Sequence, residues 1–401
     1  MSRWVYPILG MIILTMLGGI YTFSLFYKPL QEFYGISNVA PLTLAFSLIT
    51  LTYSIFIIPA GLLYDRLGPK IPLITGAFTI FSGYLLASQM KNFDWDTARV
   101  LYYVGLGFLP GLGIALVDAV PRPLASKWFP DRPGTAIGLV AVGFGIGAAV
   151  MTPVITGMLE KFGVFRTFAL VGLMYFAVIV FCALPMRDPE SRKGESAHDL
   201  DLGMVLRKGR FYRLWFAFFL SSFAGLMVIG NAAPILREGA RNTPELAGLV
   251  AAFLIITSFA NAGGRFAWGF ALDRLGVFRA LRFNFLLSAA ASLLLAFTYS
   301  TYVVFPLASV IYANYGGVLA MFPAAVSIYF GRKYAGRIYG AIFTAWGFSG
   351  LLAPYTGGLI RDLTGEYVYA FYVAFAVSLI AVVLMMGKEE VTREPDRVGN
   401  N

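Results

Sequence analysis

Charge is scarce in this 401-residue chain: Asp, Glu, Lys and Arg make up 13% of it, against about 25% in soluble domains. With roughly half the usual charge to face water, a soluble globular protein and a disordered chain are both excluded. Thiols and imidazoles are scarcer still. The one cysteine, Cys182, and the one histidine, His198, rule out a disulfide and a Cys/His metal site. His198 falls in the polar stretch 187–209, where it reads as a solvated linker residue. What is abundant is apolar surface: 58% hydrophobic residues, with 36 Phe, 22 Tyr and 6 Trp, and a mean hydropathy of +0.74. Twelve bilayer crossings of about 20 residues each would use about 240 residues and leave short loops. The composition is that of a polytopic helical membrane protein.

Apolar segments run near 6–27, 39–63, 71–90, 100–120, 135–159, 165–185, 211–235, 245–270, 280–299, 302–330, 337–360 and 367–386. Their lengths suit helices rather than the short alternating strands of an outer-membrane barrel. The first, preceded by Arg3, imitates a signal peptide, but its apolar run continues through Gly18 to Phe23 without an Ala-x-Ala site, so it reads as a retained helix. The net charge of +10 points to cytoplasmic loops rather than to nucleic acid. With the N-terminus inside, cytoplasmic segments hold 22 of the 31 Lys and Arg, and external segments hold eight: Lys28, Lys91, Arg99, Lys161, Arg166, Arg237, Arg241 and Arg361. Both termini are therefore expected in the cytoplasm, in a plasma (inner) membrane. The polar interval 187–209 is expected to be a cytoplasmic linker between a six-helix bundle over 1–186 and a second over 210–401 that ends in a short cytoplasmic tail.

The two halves echo each other. Gly61-Leu62-Leu63-Tyr64-Asp65-Arg66-Leu67-Gly68 recurs as Gly269-Phe270-Ala271-Leu272-Asp273-Arg274-Leu275-Gly276, and Ala141-Val142-Gly143-Phe144 as Ala345-Trp346-Gly347-Phe348. Pro121 through Phe129 has an echo in Pro323 through Phe330. Six helices is an even number, so the copies sit parallel about an axis along the membrane normal. In the first motif Gly61 would let helices approach closely, Asp65 and Arg66 would end the helix in water as a charge clamp, and Gly68 would permit a tight turn. Asp273 and Arg274 repeat the pair. With that motif at the helix 2–3 loop, followed by Lys70, and repeated at the helix 8–9 loop, the chain resembles the major facilitator superfamily of secondary transporters. Gly19-Ile20-Tyr21-Thr22-Phe23-Ser24-Leu25-Phe26 with Pro29-Leu30 in helix 1, Lys127-Trp128-Phe129-Pro130-Asp131 after helix 4, and Asn261-Ala262-Gly263-Gly264-Arg265 with Trp268-Gly269 in helix 8 are similar to the oxalate/formate antiporter family and its monocarboxylate-transporter relatives. That resemblance implies a twelve-helix all-α membrane fold and alternating access.

One basic residue remains inside an apolar segment. Arg265 lies eight residues before Asp273, roughly 12 Å along a helix and near the middle of a hydrocarbon core about 30 Å thick. Facing lipid there costs an arginine about 2.5 to more than 10 kcal/mol. Two readings stand: an ion pair locking helix 8 to a neighbour, or a planar fork that holds a substrate carboxylate. The resemblance supports the second, because both related families place a substrate-binding arginine there. Asn261, one turn earlier on the same face, either orients the guanidinium, donates to substrate, or bonds between helices. Animal monocarboxylate transporters carry an aspartate at this place. Asp118 is the one acid well inside an apolar stretch. It is either a proton-coupling site or the structural i,i+4 partner of Arg122 near the cytoplasmic edge.

The resemblance also implies a second buried cation in helix 11 of oxalate transporters, in a context similar to Tyr339 through Gly347, where this chain has Trp346. One fixed positive charge suits a monoanion and two suit a dianion, so lactate, pyruvate or formate is expected rather than oxalate. Tyr21, Tyr312, Tyr315, Phe343 and Trp346 lie on helices that line the cavity in this superfamily, and would close around a small apolar tail. Ordinary packing is their other reading. Asn231 and Asn314 are weaker polar candidates. The runs Gly143-x-Gly145-x-Gly147 and Gly347-x-x-Gly350 read as close helix packing. The expectation is a monomeric, proton-driven symporter without cofactor. Its rivals are an oxalate/formate-type exchanger and a carboxylate sensor that does not transport; an enzyme lacks a catalytic group set.

Overall fold

A computed structural model of the chain describes residues 2–131, 133–189, 202–240, 248–297, 301–330 and 335–386. No strand occurs among them. The apolar segments become α1 (Val5–Tyr34), α2 (Ala40–Leu67), α3 (Lys70–Asn92) and α4 (Trp95–Trp128). Pro133–Ala183 is split into α5 (133–162) and α6 (164–183) by Gly163, whose φ of 71° and ψ of 172° reverse the chain. Then α7 (Gly209–Gly230) is continued by Ala232–Gly239. The last five are α8 (Val250–Leu275), α9 (Val277–Phe297), α10 (Thr301–Phe330), α11 (Ala335–Thr364) and α12 (Val368–Leu384). Nine described helical stretches, α5 and α6 together counting as one, are by length and composition long and apolar enough to cross a bilayer.

Two expectations about helix ends change. Pro121 to Phe129, read as following helix 4, is helical to Trp128, because Pro121 opens the last stretch at a first-turn position where a missing N–H costs nothing. Arg122 therefore lies on α4. Gly68 and Gly276 take the expected turns, with φ of 73° and 80°, but a methyl group on Gly61 would meet nothing within 4 Å. Gly61 is thus no helix contact point here. Asp65 and Arg66 are exposed where the helix ends, as expected, but form no ion pair among the described residues. A different set holds that corner: Tyr64 Oη donates to Asp188 Oδ1 at 2.8 Å, and Lys127 Nζ lies 2.9 Å from the same oxygen and 4.2 Å above the Tyr64 ring. In the repeat, Arg274 lies over the Phe270 ring at 4.2 Å. The expected linker lies largely outside the described residues, His198 included.

Glycine permits the close approaches that the sequence suggested. Gly147 meets Gly18 of α1, Gly347 and Gly350 receive Ser54 and Thr50 of α2, and a methyl on Gly145 would come 2.9 Å from Ala262 Cβ on α8. The first six helices and the last six meet chiefly along two seams, α2 with α11 and α5 with α8. The central site lies between these seams.

Candidate functional site

Arg265 is placed on α8 facing the interior at the α5 seam. Its Nε donates to Asn261 Oδ1 at 3.2 Å, and its Cζ stands 5.8 Å from the Phe144 ring centroid on α5. Arg265 Nη2 and Asn261 Nδ2 are both buried and donate to nothing among the described residues. The locking ion pair considered for Arg265 is not formed among them either. Two adjacent unsatisfied donors, one of them cationic, define a place for an acceptor of negative charge.

An aromatic wall continues from there. Tyr21 packs edge-on to Phe144 with centroids 5.6 Å apart, and its hydroxyl lies 3.2 Å from that of Tyr315 on α10. Trp346 Nε1 donates to Tyr315 Oη at 2.7 Å. An indole N–H only donates, so whichever tyrosine donates to the other, one phenolic hydrogen of the pair has no acceptor among the described residues. Phe343 stacks on Trp346 at 4.9 Å, and Tyr53 of α2 meets both rings edge-on at 5.4 Å. Tyr21, Tyr315, Phe343 and Trp346 are thus brought together with the Arg265 and Asn261 pair.

Asp118 stands at the other end of the same wall. Its Oδ2 accepts from Tyr53 Oη at 2.6 Å, and Arg122 Nη1 reaches Oδ1 at 2.8 Å and Oδ2 at 2.6 Å. The i,i+4 pair considered from the sequence is therefore formed, and the arginine facing Asp118 is Arg122 rather than Arg265. Tyr339 joins the wall through Phe343, with ring centroids 5.6 Å apart.

Other candidates are engaged elsewhere. Asn231 donates to Met227 O at 2.9 Å and Pro354 O at 3.0 Å, and accepts from Tyr367 Oη at 3.0 Å, so it locks α7 to its neighbours. Asn314 Oδ1 accepts from Trp268 Nε1 at 3.0 Å, a packing contact of α8 with α10. Tyr312 is buried on α10 outside this hydrogen-bond chain. The Gly61 to Gly68 and Asp273 to Arg274 motifs lie at one end of the molecule. At the opposite end, Asp362 of α11 caps α2 across the seam: its carboxylate accepts from Val39 N at 2.8 Å and from Ala40 N at 2.8 Å. Arg361 Nη1 reaches Ser37 O at 3.4 Å beside it.

Sequence reasoning missed Tyr53, Phe144, Tyr339 and Asp362. For Tyr53 a signal existed. The spacing that carries Gly61 onto Gly269 also carries Tyr53 onto Asn261.

Residues 8–354 match the sequence profile of the Major Facilitator Superfamily. The chain belongs to that superfamily. It is a multi-pass membrane transporter of all-α, twelve-helix fold. Among curated relatives it is 28% identical over 393 residues to the oxalate:formate antiporter of Oxalobacter formigenes, covering 96% of this chain and 90% of that protein. It is 27% identical to monocarboxylate transporter 13 of Bos taurus, covering 79% and 73%. Among solved structures, a bacterial homologue of the human lysosomal transporter Spinster superposes with a TM-score of 0.68 at 15% identity, over 96% of this chain and 94% of that one. The facilitator fold explains why a site would sit between the two seams, where the parallel repeats meet.

Proposed function

We propose that the protein is a proton-coupled symporter of a small monocarboxylate of the lactate, pyruvate or formate type, in which Arg265 and Asn261 hold the carboxylate. The observation that carries this reading is the pair of buried, unpartnered donors, Arg265 Nη2 and Asn261 Nδ2. A carboxylate has the planar, two-oxygen geometry that answers both. Tyr21, Tyr315, Phe343 and Trp346 form the wall against its organic end. The resemblance to proteins named for oxalate, formate and monocarboxylates supports the anionic cargo.

Asp118 is the proton site in this reading. It gains a proton when its pairing with Arg122 loosens, and substrate and proton together leave the charge of the site unchanged, which favours an electroneutral cycle. The bundles over 1–186 and 210–401 rock about the site, with Gly61, Asp65, Arg66, Gly68, Asp273 and Arg274 at the moving cytoplasmic turns. Both termini lie inside a plasma or inner membrane, and the proton gradient is the energy source, without a cofactor.

The test is uptake into proteoliposomes. A proton gradient applied to them drives accumulation of labelled lactate or formate. Flux indifferent to pH but dependent on internal formate or oxalate would turn the assignment to exchange, which the similarity to the oxalate:formate antiporter favours as the second reading.

A further inference from the structure

Arg122 is a second cation on the same wall, and its pairing with Asp118 is lopsided. Asp118 has 3% of its side chain exposed and Arg122 has 30%. Only Nη1 of the guanidinium touches the carboxylate. Nε and Nη2 have no hydrogen-bond partner among the described residues, and neither is sealed in as Arg265 Nη2 is. Asp118, in contrast, is closed on both oxygens by Arg122 and Tyr53. The wall links this pair to the Arg265 end, because Tyr53, which donates to Asp118, also meets the Trp346 ring edge-on.

Charge arithmetic follows. Arg265 and Arg122 against Asp118 give the central site a net charge of one positive unit, which a monoanion neutralises. A dianion would leave an uncompensated negative charge in surroundings of low polarity, which is costly. We propose that Asp118 sets the charge of the cargo: while ionised it neutralises Arg122 and bars dicarboxylates, and once it is neutral, by protonation or by substitution, Arg122 becomes a second carboxylate anchor on the wall it shares with Arg265. Asp118 is then a specificity-determining residue and Arg122 a reserve subsite for a second carboxylate. This rests on the carboxylate reading of Arg265.

The experiment is equilibrium binding to the purified full-length protein, read as thermal stabilisation by titrated anions. Formate and lactate are the monoanions; oxalate, malonate and succinate are the dianions, spanning three lengths. In the wild type, monoanions stabilise at lower concentration than dianions. Asp118→Asn raises the charge by one unit, and at least one dianion gains about tenfold or more relative to formate, the effect of one charge-assisted hydrogen bond. Asp118→Asn with Arg122→Gln returns the net charge to one unit and restores the preference for monoanions. A purely structural role for Asp118 would weaken all anions alike and leave the ratio unmoved.

An unchanged ratio for all three dianions in folded Asp118→Asn overturns the proposal, as does a double variant that keeps the dianion preference. Should Asp118→Asn not fold, Arg122→Gln carries the question: its net charge of zero must weaken formate binding about tenfold or more, and undiminished formate binding overturns the proposal. If the wild type binds neither kind of anion, the carboxylate reading itself has failed, a result distinct from the others.

Discussion

The first six helices and the last six treat their buried charge in opposite ways. In the first six, Asp118 and Arg122 cancel, with Tyr53 donating to the carboxylate. In the last six, Arg265 has no carboxylate partner among the described residues, and Asn261 accepts from it. Tyr53 and Asn261 occupy matching positions of the repeat. A duplicated unit has thus kept the place of a polar side chain eight residues before the loop motif, on the same helix, and exchanged what that side chain holds. One copy steadies an acid, the other a base. The sequence repeat preserves the scaffold, while the imbalance between the copies leaves donors without partners at Arg265 and Asn261 among the described residues.

The largest effect comes from erasing the imbalance. Arg265→Ala and Arg265→Lys lower uptake about a hundredfold or more, as loss of a desolvated charge contact implies, while both variants still insert and purify. Normal uptake by Arg265→Lys in proteoliposomes would sink the two-pronged contact, since an ammonium cannot reproduce the planar fork. Enlarging the imbalance is the next step. Trp346→Lys adds a cation to the last six helices and shifts preference toward dianions about tenfold; an unchanged ratio of oxalate to lactate in competition assays would count against it.

A third variant makes the two halves alike. Asn261→Asp gives Arg265 a resident carboxylate that competes with substrate. Binding of formate falls severalfold at neutral pH and recovers as the pH is lowered, because protonation of the new acid frees the guanidinium. Titrations at two pH values check the sign. The smallest effect falls on the join between halves. Asp362→Asn keeps a weaker cap on α2 and costs about 1 kcal/mol, visible as a modest drop in thermal midpoint with anion affinity retained.

Much of this arrangement was legible in the sequence, for physical reasons. Long apolar runs fixed the helices because lipid tolerates few alternatives, and Arg265 stood out because a charge among apolar residues has to be satisfied by something. Its neighbours were hidden for the same reason. Tyr53 and Phe144 are two aromatic residues among many, and nothing in their local pattern separates wall from packing. The apolar run that marks helix 4 ends near residue 120, whereas Pro121 opens a further helical stretch of α4 that carries Arg122. Asp362 sits among polar residues at a helix end, where an acid draws no notice until the backbone of another helix is seen to end on it.

That cap has a further consequence. The Val39 and Ala40 amides are covered by Asp362 only while α2 and α11 are joined at that end of the molecule. Parting the helices would hand both hydrogens to water. Their exchange with deuterium therefore becomes a clock for how often that mouth opens: protection at two neighbouring amides, far from Arg265, would lengthen or shorten with whatever ligand biases the molecule toward one face of the membrane.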